Sequence, residues 1–179
     1  MKKLFVLLTI LISIVAIAQT PCPIEGVGKT AKAHNNLKNR DTILGHIDTR
    51  IKLNHILNYG EDSKRFSQDS TIVVYGYCVE YCNWGSIADS LHDIHLYIGT
   101  TTITPKSECM VVVITPTFRA LNKGFNVNDY VGHIVKVYGP LFYDKEHKEN
   151  AKNTCIKCSN VWRKTCWEIH PVVQIDFIK

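Results

Sequence analysis

TIVVYGYCVEYC, residues 71–82, is dense in β-branched and aromatic residues. Its odd positions Val73, Tyr75, Tyr77 and Val79 alternate with Val74, Gly76 and Cys78. Alternation of this kind puts successive side chains on opposite faces of a strand, and a glycine inside it marks a bend or a close approach. Reading outward, DIHLYIG (93–99) and CMVVVIT (109–115) are further strands, the second stopped by Pro116. A helical or irregular crossover over 118–131 leads to HIVKVYGPLFY (133–143), which carries Gly139, and VVQIDFI (172–178) is the last strand. Three strands, a helix and two strands is the order of an OB-fold, so the chain is expected to be mainly β, a small five-stranded OB-like Greek-key barrel with one interior helix. A β-sandwich or an open α+β sheet gives a similar strand count.

Upstream, MKKLFVLLTILISIVAIA (1–18) sets Lys2 and Lys3 before an apolar run that ends in small residues. It reads as a signal peptide cleaved before Gln19, and the run is short for a membrane-spanning helix. A secreted or periplasmic protein without a membrane span is expected, and Cys22 lacks the small apolar context of a lipid-modified cysteine. Residues 19–70 read as an N-terminal extension, partly helical, in which Asp48 or Thr49 caps a helix that presents Leu53, Ile56 and Leu57 and ends at Gly60. Residues 71–179 form the barrel domain. Removing the leader lowers the formal net charge from +5 to about +3, dispersed along the chain, which gives no support to a nucleic-acid partner.

The polar residues suggest two kinds of function. A binding module for an unknown ligand, whether oligosaccharide, nucleic acid or peptide, would use Tyr75, Tyr77, Trp84 and Tyr97 as stacking surface, with Arg163. These aromatics equally suit core packing. A metal-dependent hydrolase, phosphodiesterase-like, would use His95, His147 and His170 as ligands to zinc and Glu168 or Glu146 as base. H-E-x-x-H, G-x-S-x-G and a phosphate-binding glycine loop are all absent from the sequence. The competing reading of VWRKTCWEIHPV (161–172) is a clasp: Trp162 and Trp167 pack, and Arg163 reaches Glu168 or Glu146 in an ion pair.

Seven cysteines in an exported chain point to disulfides. Cys155-x-x-Cys158 also has the form of half a zinc site, with Cys78 and Cys82 as the other half.

GPLFYDKEH (139–147), followed after a loop by WRKTCWEIHPV (162–172), resembles a family of uncharacterised, mostly exported bacterial proteins with a D-x-x-H element before a W-E-I-H-P-V signature. The match falls on Asp144, His147, Arg163, Trp167, Glu168, His170 and Pro171. The resemblance covers the C-terminal third and implies the OB-like fold and its boundaries rather than an activity. The intervening KENAKNTCIKCSNV is longer than that pattern leads one to expect, and Cys155 and Cys158 are candidates for a disulfide that pins it.

Overall fold

The computed structural model describes residues 36–38, 40, 46–59, 63–83 and 92–178. The leader, its cleavage point, Cys22 and Trp84 lie outside them. In chain order the elements are β1 (Ile47–Asp48), α1 (Leu53–Tyr59), β2 (Thr71–Asn83), β3 (Ile94–Gly99), β4 (Met110–Ile114), α2 (Pro116–Leu121), β5 (Ile134–Tyr143), β6 (Trp167–Ile169) and β7 (Gln174–Phe177). Short 3-10 turns lie at Lys106–Glu108, Val127–Asp129 and Lys145–Asn150.

β2 closes the barrel because it is long enough to serve two neighbours. Its first half pairs antiparallel with β5, from Thr71 opposite Pro140 to Tyr77 opposite Ile134. Its second half pairs with β3, from Tyr77 opposite Gly99 to Asn83 opposite Ile94, with a bulge between Cys78 and Glu80. β3 pairs antiparallel with β4, β4 parallel with β6, and β6 antiparallel with β5, which completes a closed five-strand circuit. This is an OB-like barrel. At its bend, Gly76 lets neighbours come close: a Cβ there would stand 2.6 Å from Ile98 Cγ2 and 2.7 Å from Leu53 Cδ2. Gly139 does the same for the closing strand, where a Cβ would stand 2.4 Å from the Pro171 carbonyl oxygen.

The inward residues are Ile72, Val74 and Cys78 of β2, Ile94, Leu96 and Ile98 of β3, Met110, Val112 and Ile114 of β4, and Trp167 and Ile169 of β6. Helix α1 plugs one end with Leu53, Ile56 and Leu57, all buried. Asp48 does not cap it: its carboxylate accepts from the Arg50 backbone N–H at 3.0 Å and from the Arg50 guanidinium at 2.9 and 2.8 Å, holding the turn before the helix. Helix α2 starts on Thr115, whose side chain accepts from the Phe118 N–H, with Pro116 in the first turn.

Two strands differ from the sequence expectation. The last one begins earlier, at Trp167, and is broken: β6 and β7 both pair with β5, separated by 170–173 and a cis His170–Pro171 bond. Three residues with a glutamate between them carry too short a pattern to read as a strand, but the length of β5 gives both pieces a partner. β1 adds two residues parallel to the start of β2. Among the described residues, no helix is long and apolar enough to cross a membrane.

Candidate functional site

Alternation turns His95 and Tyr97 of β3, Val111 and Val113 of β4, and Glu168 of β6 to the outer face of the barrel. Glu168 stands opposite Val111 on one side and Phe142 on the other. This face is not left to solvent. The chain between Asp144 and Cys166 folds over it, and Tyr97, Cys109, Val111 and Val113 form a second apolar cluster packed against Trp162 and Val79. That roof explains why CMVVVIT is apolar on both faces. The Trp162 ring lies edge-on to Tyr97 at 6.3 Å, 6.3 Å from the His95 ring and 5.4 Å from the His147 ring. A Cys155–Cys158 disulfide closes a small turn within the roof.

Arg163 organises the polar side of this roof. A guanidinium with no exposed surface is tolerable only when its charge and its N–H groups are met. Its Nε donates to the Thr165 carbonyl at 2.7 Å, and one terminal nitrogen, Nη2, donates to the Cys166 carbonyl at 2.9 Å. The other, Nη1, donates to Asp144 Oδ2 at 3.0 Å and lies 3.1 Å from Glu168 Oε2. One cation therefore sits between two buried carboxylates.

Each carboxylate in turn holds a histidine through Nδ1. Asp144 Oδ2 is 2.5 Å from His147 Nδ1, and Glu168 Oε1 is 3.0 Å from His170 Nδ1. Burial pushes both carboxyls up, but for Asp144 the His147 hydrogen bond and the Arg163 charge outweigh it, and for Glu168 the Arg163 charge does; both stay below their ordinary range. Ionised carboxylates only accept, so in a neutral imidazole the proton sits on Nδ1 and the lone pair on Nε2.

The two pairs border one cavity of about 290 Å³. His92 and Asp93 reach it from the β2–β3 loop, His95 from β3, Asp144 and His147 from the β5–β6 loop, Glu168 and His170 from the closing strand, and Lys38 from the N-terminal extension. His170 is 3% exposed, and its Nε2 has no hydrogen-bond partner; Asp93 Oδ2 stands 3.9 Å away. Burial pushes Asp93 up, against the opposing pull of His170, and pushes His95 down to about 4, so His95 is neutral at neutral pH.

The three histidines singled out in the sequence thus reach one cavity together with Glu168. Among the described residues, however, no three His, Cys, Asp or Glu side chains are placed so that they could hold a metal ion together. Glu146 lies outside this network, half-exposed and paired with Lys38 at 3.3 Å. The residues proposed for stacking are scattered. Tyr75, 50% exposed, and Tyr77 border a separate cavity on β2, and Tyr97 is buried below Trp162 with the Lys106 ammonium 4.3 Å from its ring. Arg163 is wholly enclosed. Lys38 and His92 were not anticipated: Lys38 sits in a segment without pattern, whereas His92, beside Asp93 in H-D-I-H, is a signal that a search for histidines flanking a carboxylate finds. No protein-family model matches the chain, and no curated protein matches it.

Proposed function

We propose that this protein is an exported binding module whose ligand site is the histidine- and carboxylate-lined cavity on the outer face of its OB-like barrel. The observation that carries this reading is position. OB barrels hold ligands on the face of their second and third strands, between the loops that join strands one to two and four to five. In this circuit those are β3, β4, the connection into β3 that carries His92 and Asp93, and the 144–166 segment, and the cavity draws residues from β3 and from both connections. The resemblance supports the same location, because Asp144, His147, Arg163, Glu168 and His170, which it singles out, all build the site. The leader-like N-terminus and the Cys155–Cys158 disulfide support export.

A cavity of about 290 Å³ accommodates a single small polar group, such as one sugar ring or one amino-acid side chain, rather than a run of bases. Asp93, Asp144 and Glu168 face Arg163 and Lys38 there, which disfavours a phosphate and favours a neutral or cationic group. Calorimetric titration with a panel of monosaccharides, nucleotides and tripeptides tests this. A saccharide or peptide is expected to bind, and binding is expected to weaken about tenfold in Asp93→Asn; a folded protein that binds nothing in the panel counts against the reading.

A further inference from the structure

We propose that the cavity recognises a primary ammonium group, as carried by an amino sugar or a lysine side chain, held between His170 Nε2 and the Asp93 carboxylate. The inference rests on the reading of this cavity as the ligand site and adds the chemical class of what enters it. Its starting point is a nitrogen that the fold buries and leaves unmatched: His170 is 3% exposed, and its Nε2 has no hydrogen-bond partner among the described residues. A buried polar atom without a partner is costly. Glu168 fixes the ring through Nδ1 at 3.0 Å, so in a neutral imidazole Nε2 is left as an acceptor. The next polar group is an acceptor too, since Asp93 Oδ2 lies 3.9 Å from that nitrogen. Both residues line the cavity.

Two acceptors this close select a group with more than one hydrogen to donate. A single nitrogen can stand about 2.9 Å from both, an ordinary hydrogen-bond length. An ammonium offers three N–H groups and no acceptor, whereas a hydroxyl has one hydrogen and meets only one of the pair. Charge selects the same group. Arg163 is shared between Asp144 and Glu168, and Lys38 is paired with Glu146, so neither cation is committed to Asp93. Enclosure pushes the Asp93 carboxyl up, a cost that an incoming cation offsets. The two acceptors also differ in freedom: Glu168 holds the His170 ring in place, while the Asp93 side chain is 37% exposed and open to a ligand. A cavity of about 290 Å³ takes one amino-sugar ring or one lysine side chain.

Calorimetric titration of the protein compares glucosamine with N-acetylglucosamine, and Nα-acetyl-lysine amide with its Nε-trimethylated form, which keeps the charge and lacks the N–H donors. At least one free amine is expected to bind at least about tenfold more tightly than its blocked counterpart. Asp93→Asn and His170→Phe are each expected to remove that difference, while Lys136→Ala on the β2–β5 face leaves it unchanged. Should His170→Phe fail to fold, Asp93→Asn carries the test. Binding of glucosamine alone identifies an amino sugar and binding of the lysine derivative alone a peptide, and either supports the assignment. Equal binding of free and blocked members overturns it, as does a preference that survives Asp93→Asn in the folded protein. If only ligands without an amine bind from the wider panel, the ammonium is rejected and the cavity stays the binding site; if nothing binds, both readings fall.

Discussion

The barrel has two outer faces that differ in kind. On the β2–β5 face, Tyr75 is exposed and Tyr138 half-buried, with the Lys136 ammonium 5.7 and 4.7 Å from their rings. On the β3–β4–β6 face, the chain from 144 to 166 roofs the strands and encloses Arg163, Asp144, Glu168 and His170. Lys136 is met at the surface by the Tyr138 and Tyr75 side chains, and that arrangement says little about a ligand. A buried charge must be matched atom by atom, so a nitrogen left unmatched in such a place is informative. Aromatic content drew attention to the open face, but enclosure marks the other one as the site.

Substitutions on the two faces are expected to separate widely. Arg163→Met leaves Asp144 and Glu168 buried without their cation and should cost about 3–5 kcal/mol in urea unfolding, enough to abolish folding in a marginal protein. A loss below about 1 kcal/mol would mean that the roof opens easily to water. Trp162→Ala should cost about 2–4 kcal/mol and increase binding of a hydrophobic dye, because Tyr97, Val111 and Val113 lose their cover. At the other extreme, Lys136→Ala on the open face should change stability by less than about 0.5 kcal/mol.

Between these lies a pH effect belonging to the roofed face. His95 titrates at about 4 in the folded protein, mainly because it is buried, against ~6.5 in an unfolded chain. Between those values the unfolded chain binds the extra proton, so stability is untouched above ~6.5 and falls as pH drops toward 4. His95→Gln should flatten the stability curve in that window, as measured by urea midpoints. Asp144 acts lower: its folded pKa is depressed, so its contribution is complete above ~3.9 and is lost as acid titrates the folded carboxylate. A curve equally steep in His95→Gln would show that the ring is solvated.

Strands with two distinct faces were legible. The alternation of 71–82 and of Ile94, Leu96 and Ile98 marks β2 and β3, and the strand, helix, strand order carries the barrel. β1 and β6 were not legible, since two or three residues hold no period and gain their place only from the partner strand. At the site, His95, His147, His170 and Glu168 could be singled out one by one. Their pairing could not, because it depends on how the 144–166 chain folds back. Arg163 reaches Glu168, one of its two expected partners, and adds Asp144, while Glu146 is left to Lys38 from more than a hundred residues upstream.

The contrast between the faces is tested most directly by side-chain NMR of histidine and tyrosine rings while the saccharide, nucleotide and tripeptide panel is added. Shifts concentrated in His95, His147 and His170, with Tyr75 and Tyr138 unmoved, are expected. Shifts in Tyr75 and Tyr138 with the three histidines silent would contradict the enclosed cavity as the site and move it to the open face.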